Sequence, residues 1–213
     1  WVDEQPLTGV ALTALRQQTA WVDPAVQLWN RSLWDNLRYG TPAQSEATLA
    51  EAQLAQVLSQ ADLYHVLEHL PNGLHTALGE GGALVSGGEG QRVRLGRAML
   101  RPQVRLAILD EPFRGLDRPK RQQLLRTARD HWRAATLICI THDVGETQAF
   151  DRVLVMADGR IVEDGAPAML AANPHSVYHQ LLHAEATVRA GMWQGAHWRQ
   201  LYIVDGRLQE VEP

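Results

Sequence analysis

Leu106-Ala-Ile-Leu-Asp-Glu-Pro112 is a short, unbroken apolar run that ends in two adjacent carboxylates. A run of this length, bounded by polar residues, is the pattern of a strand buried in a parallel sheet. Such a strand delivers Asp110 rigidly to the carboxyl edge of the sheet, where open α/β sheets bind their ligands. A carboxylate there can hold Mg²⁺, which takes few carboxylates and keeps waters and phosphate oxygens. Glu111 then projects beside the position of a terminal phosphate and can polarise an attacking water. A positioned base contributes ~10²- to 10⁴-fold to such a reaction. An acidic strand end that holds no ligand is the alternative reading of these residues alone.

Downstream, Phe113-Arg-Gly-Leu-Asp117 places Asp117 where it can cap a helix over Arg118 to Ala134, with Pro119 in the first turn. Thr136 to Ile140 is predicted as a second buried strand, and Cys139 as a buried residue within it. Ile140-Thr-His-Asp143 carries His142 to the same sheet edge as Asp110; a histidine with a purely structural role is the alternative. Val153 to Met156 and Arg160 to Val162 flank Asp158-Gly159, a hairpin signal. Pro174 to Arg189 is predicted helical. Leu201 to Val204, Asp205-Gly206 and Arg207-Leu208 make a second hairpin-like unit, with Trp193 and Trp198 read as packing residues.

Upstream, Leu84-Val-Ser-Gly-Gly-Glu-Gly-Gln-Arg92 closes a glycine-dense stretch from Gly79 to Gly90 and runs into a helix over Gln91 to Leu100. Glycines before a helix let backbone N–H groups approach an anion, and the helix N-terminus adds ~0.3–1 kcal/mol per charge. Ser86 can donate its hydroxyl to a phosphate oxygen. A plain flexible turn is the alternative. Pro71-Asn72-Gly73 is a turn. Ser32 to Leu70 has helical periodicity, with Ser45 able to cap a helix through Leu58 and apolar residues recurring over Ala61 to Leu70. Trp1 to Val22 reads as strand pieces and turns around a short amphipathic segment. Strand, helix, strand and hairpin in this order predict an α/β core with a helical block inserted before it.

Composition narrows the function classes. The 213 residues suit one domain with a small appendage, and a hydrophobic share of 45% is enough for a sizeable core. A net charge of −4 argues against general nucleic-acid binding, which needs a basic surface. The single cysteine excludes an internal disulfide framework. No apolar run is long enough to span a bilayer, and no signal peptide is visible. The chain opens on Trp1 without a Met, as expected of a sequence that begins mid-protein, so membrane association must come through a partner or another segment.

The four motifs occur in one order, and together they resemble the nucleotide-binding domain of ABC ATPases over about Val2 to Leu182. Ser86, Gly87, Gly88 and Glu89 match the signature loop, Leu106 to Asp110 the Walker B strand, and Glu111 the catalytic glutamate. Arg114-Gly-Leu-Asp117 matches the D-loop, and His142 the switch histidine. The resemblance implies a P-loop NTPase-like core, a mostly parallel sheet flanked by helices. It also implies an α-helical signature subdomain over about residues 32–104, a partial ATP-binding domain over 1–182, and a C-terminal extension over 183–213. ATP and Mg²⁺ are the implied cofactors, with Asp110 as the Mg²⁺ ligand and Glu111 and His142 as catalytic residues. Two such domains pack head to tail in the family, so Ser86, Gly87, Gly88 and Glu89 would serve ATP held by the partner, with Asp117 of the D-loop also implied as a cofactor-binding residue. Asn30 to Gly40 and Leu70 to Gly82 are similar to exporter domains in particular, the latter including an X-loop-like Thr76 to Gly82. That implies a transmembrane partner and a place on the cytoplasmic face of the plasma (inner) membrane.

Three departures stand out. No GxxxxGK[ST] loop occurs, so the core is incomplete at its N-terminus and this chain alone is expected to be inactive. Pro24 stands where the family has the Q-loop glutamine, which leaves neighbouring Asp23 as the candidate substitute. Glu89 replaces the commoner signature glutamine. A soluble ABC-type ATPase without a transporter, and a regulatory domain that only completes a partner's site, are the rival readings.

Overall fold

Three short parallel strands organise the first part of the computed structural model. It describes residues 4, 6–23, 25, 27–41, 51–194, 201–204 and 207–210. The strands are β1 (Thr19–Val22), β2 (Leu106–Asp110) and β3 (Thr136–Ile140), in the order β1-β2-β3. Their registers pair Val22 with Leu109, Leu109 with Cys139 and Asp110 with Ile140. All three chains therefore leave the sheet at one edge, so Asp23, Glu111 and Thr141 follow three neighbouring strand ends. Among the described strands the carboxylate strand is the central one, flanked by β1 as far as Leu109 and by β3 as far as Asp110.

The chain divides into two units, Trp1–Thr141 and His142–Pro213. In the first, α1 (Gly9–Gln17) precedes β1. A helix here differs from the predicted strand pieces: Ala11, Leu12, Ala14, Leu15, Arg16 and Gln17 are strong helix formers, and local propensity decides a segment with no buried residue. The inserted block contains α2 (Leu33–Arg38), α3 (Glu51–Gln60), α4 (Tyr64–His69) and α5 (Gly87–Met99). Pro24, the proposed cap Ser45, Trp198 and the Asp205-Gly206 turn lie outside the described residues. The core contains Leu33, Leu37, Leu63, Leu78, Leu95, Met99, Leu109 and Leu124, all at most 1% exposed. α6 (Arg118–His131) contributes Leu124, Leu125 and Ala128 to it.

β3 is less buried than its apolar sequence predicts. Ile138 and Ile140 are 46% and 50% exposed, and Cys139 is only partly buried. The register puts Trp21, Ile108 and Ile138 in one row on one sheet face, and Trp21 is 58% exposed. Strand periodicity reports that a run is apolar. It does not report whether a covering layer exists.

The second unit is built on the hairpin β4 (Val153–Ala157) and β5 (Arg160–Gly165), turned by Asp158 and Gly159 with φ of 49° and 73°. Left-handed Asp-Gly is the favoured chemistry for that turn. α7 (Pro167–Ala172) and α8 (Val177–Gln194) follow. α8 continues past Leu182, where the C-terminal extension was expected to begin. Val153, Val155 and Tyr178 form the buried cluster, with Val144, Leu170, Ala171 and Leu182 packed on it. Glu163 on β5 accepts hydrogen bonds from Ser176 Oγ and from the Val177 and Tyr178 N–H groups, which tethers the start of α8 to the hairpin. β6 (Leu201–Val204) and β7 (Arg207–Glu210) pair antiparallel, as the second hairpin signal predicts.

Candidate functional site

The sheet edge carries the acidic pair. Asp110 is the last residue of β2 and is partly buried. Glu111 has a φ of 41°, in the left-handed region that a non-glycine residue avoids. Its N–H donates to the Ile140 carbonyl at 2.9 Å, which continues the β2–β3 ladder across this strained residue. Such conformations cost roughly 1–3 kcal/mol, persist where surrounding structure enforces them and cluster at functional sites. Here the enforcement is visible: Phe113 just beyond is 4% exposed and anchors the turn. Arg114 Nη1 lies 3.9 Å from Glu111 Oε2, with the Arg114 side chain 72% exposed.

The serine–diglycine turn opens a helix four residues earlier than predicted. Ser86 is the N-cap of α5, and a capping box explains the early start. Ser86 Oγ accepts the Glu89 N–H at 3.3 Å, while Glu89 Oε2 accepts the Ser86 N–H at 2.7 Å. These reciprocal bonds hold two donors that a helix start otherwise leaves open. Ser86 and Gly87 are exposed. The bond from the Ser86 N–H, followed by the Ser86 hydroxyl and the nearby Arg92 charge, holds the Glu89 carboxyl below its ordinary range despite partial burial.

Asp117 is the N-cap of α6, its Oδ1 accepting the Lys120 N–H at 2.9 Å, with Pro119 in the first turn. The capping alternative for this residue is thus realised, and Asp117 stays exposed at the same time. Asp23 follows β1 and accepts the Ala25 N–H at 2.7 Å. It is therefore a carboxylate at the same sheet edge as Asp110. His142 is exposed and is the first residue of the second unit. The strand tip, the Ser86 turn, Asp117 and Asp23 all belong to the first unit.

Sequence reasoning missed a buried polar hub behind these residues. Asn36 is fully buried on α2. Its Oδ1 accepts the Trp29 N–H, and its Nδ2 donates to the carbonyls of Trp29, Arg31 and Ser32. Arg97 on α5 is 8% exposed and donates from Nε to the Asn36 carbonyl at 2.7 Å. Its guanidinium lies 4.7 Å from the centre of the Trp29 ring, and burial pushes its pKa down to about 10. Arg97 set between Gly96 and Ala98 was an available signal, whereas Asn36, flanked by the charged Asp35 and by Leu37, offered none. Backbone bonds from Leu33 N–H to the Thr76 carbonyl and from Leu78 N–H to the Arg31 carbonyl stitch the Asn30–Gly40 segment to the Leu70–Gly82 segment.

Among the described residues no three His, Cys, Asp or Glu side chains gather as a metal cage. Mg²⁺ takes one or two carboxylates and completes its shell with water and phosphate oxygens. Asp110 at a rigid strand tip fits that role.

The family profile described as ABC transporter matches residues 1–114. The glutathione/L-cysteine transport system ATP-binding/permease protein CydC of Escherichia coli (strain K12) is 34% identical over 177 residues, 83% of this chain and 30% of that protein. The ATP-dependent lipid A-core flippase of Alkalilimnicola ehrlichii is 33% identical over 85% of this chain and 30% of its own length. The iron-sulfur clusters transporter ATM1 of Debaryomyces hansenii is 32% identical over 85% of this chain and 25% of its own. Among solved structures, a bacterial Atm1-family ABC exporter with ATP bound superposes with a TM-score of 0.74 at 27% identity, over 83% of this chain and 30% of that one. This chain therefore spans about a third or less of the length of each of these relatives.

Proposed function

The chain belongs to the ABC transporter family, and on that premise we propose that it is the ATP-binding and ATP-hydrolysing part of a membrane exporter. The observation that carries the reading is the acidic pair at the tip of the central parallel strand, with Glu111 held in a strained backbone conformation. A strained acidic pair at the carboxyl edge of a parallel sheet is where open α/β sheets bind ligands, and a carboxylate there suits phosphate-bound Mg²⁺.

In this reading Asp110 would hold the Mg²⁺ that accompanies ATP, which when bound would supply charge neutralisation at the phosphates. Glu111 accepts the proton of the attacking water at its carboxylate. His142 stabilises the terminal phosphate. Ser86 donates its hydroxyl, and Gly87 and Gly88 present their N–H groups, to ATP held by a second ATP-binding domain packed head to tail. Asp117 contributes to nucleotide binding from the D-loop position, and Asp23 assists on the β1 side. Closure around ATP and reopening after hydrolysis then drive a transmembrane partner at the cytoplasmic face of the membrane. No helix among the described residues is long and apolar enough to cross a membrane, so the membrane part belongs to that partner or another segment. Exposed Trp21 and Ile138, on either side of partly buried Ile108, support a larger working assembly, because parallel sheets are covered on both faces.

With no GxxxxGK[ST] loop in its 213 residues, the chain alone lacks the backbone cradle and lysine for the phosphates. A hydrolysis assay on this chain, alone and joined to an upstream segment carrying that loop, tests the reading. Mg²⁺-dependent turnover is expected only in the joined form, and Glu111→Gln should remove it while ATP still binds. Robust turnover by the chain alone would refute the reading.

A further inference from the structure

The Ser86 turn and the Asp117 turn are joined inside the first unit by two separate contacts. One is direct packing: a Cβ added at Gly88 would stand 2.5 Å from Leu116 Cδ2, so the glycine lets the residue before Asp117 press against the start of α5. The other is ionic and centres on Asp62. This residue occupies the turn between α3 and α4 with φ of 54°, and its N–H donates to the Ser59 carbonyl at 3.1 Å. Its Oδ2 accepts from Lys120 Nζ at 2.9 Å and lies 3.8 Å from Arg92 Nη1. Arg92 Nη2 in turn is 4.0 Å from Glu89 Oε1, the carboxylate of the capping box. Lys120 is also the residue whose N–H is capped by Asp117. Asp117, Lys120, Asp62, Arg92, Glu89 and Ser86 thus form one continuous chain of contacts across α6, the α3–α4 turn and α5.

We infer that Asp62 is a positioning residue that fixes the serine–diglycine turn relative to the Asp117 turn. Its side chain is 31% exposed, Lys120 is 29% and Arg92 is 11%, so the bridge is only partly screened by solvent. A carboxylate between two cations on different helices holds both at once. A lone surface pair on one helix holds nothing beyond its own turn. The functional consequence rests on the reading above, in which both turns contribute to nucleotide binding.

Asp62→Asn separates charge from backbone, because asparagine tolerates the left-handed conformation and matches aspartate in shape. In the nucleotide-free 213-residue chain, hydrogen exchange of the Glu89 and Gly90 amides, which are bonded to Ser86, should become roughly fivefold faster in this variant, the loss expected of one charge-assisted contact. Lys120→Arg should keep the protection and Lys120→Met should lose it. The double variant Asp62→Asn/Lys120→Met should be no worse than either single change. Unchanged exchange in Asp62→Asn, or strictly additive effects, would overturn the inference. With a phosphate-binding loop supplied upstream, Asp62→Asn should raise the KM for ATP about threefold and leave kcat within about twofold, since the chemistry at Glu111 is untouched. An equal fall in kcat, or an unmoved KM beside faster exchange, would also count against positioning. If the wild-type chain so joined hydrolyses no ATP, the functional reading fails, and the exchange result alone decides the role of Asp62.

Discussion

Glu89 holds the start of α5 through the Ser86 N–H, and that bond is the main reason its carboxyl sits below the ordinary value of 4.5. The sign of the linkage follows. A carboxyl with a depressed folded pKa contributes stability that is present above its unfolded value and is lost as pH falls through the folded one. The protection of amides in the first turn of α5, taken relative to their intrinsic exchange rates, should therefore fall on acidification below 4.5, and Glu89→Gln should remove that pH dependence. Ser86→Ala should cost about 1 kcal/mol, the usual value of an N-cap, read from the urea midpoint. Arg97 is a different case, because it is buried against Trp29 and satisfies the Asn36 carbonyl. Arg97→Ala should cost about 2–4 kcal/mol, the sum expected of a charge-assisted bond, a cation–π contact and lost packing. Arg97→Lys should recover only part of it, since an ammonium cannot present a planar fork. A loss below about 1 kcal/mol for the alanine variant would show that the hub holds without its guanidinium.

Elements meet where side chains are smallest. Gly96 lies in the middle of α5, where alanine would gain about 1 kcal/mol of helix propensity. A Cβ there would stand 2.9 Å from Leu63 Cδ1 and 3.0 Å from Leu37 Cδ2, and both leucines are fully buried. Overpacking of a closed core costs about 1–3 kcal/mol, so packing outweighs propensity. Gly96→Ala should lower the thermal midpoint, and a raised midpoint would mean that the leucines can yield. The same competition explains several predicted boundaries. α6 is a helix from Arg118 as read from Asp117 and Pro119, yet it ends at His131 instead of Ala134, because Trp132 turns into the core at 4% exposure. α5 begins at Gly87 instead of Gln91, because reciprocal hydrogen bonds outweigh the poor propensity of two glycines. Strand β3 matched its predicted bounds, and its burial did not.

At the scale of the whole molecule, exposed Trp21, Ile138 and Ile140, with partly buried Ile108 between Trp21 and Ile138, make this chain prone to self-association at rising concentration. Ile138→Lys should reduce the weight-average mass seen by sedimentation at high concentration without lowering the thermal midpoint. Unchanged association would mean that another surface is responsible. Family, strand order of appearance, the acidic pair, the serine–diglycine turn and the capping role open to Asp117 were all legible in the residues. Each is a local matter of period, turn chemistry or adjacent functional groups, and such information is carried by neighbours in the chain. The strain at Glu111, the burial of Asn36 and Arg97, the bare face beside β3 and the Asp62 bridge were not. Every one of them depends on residues tens of positions apart in the chain meeting in space, and only the folded chain sets which side chains are desolvated, crowded or paired.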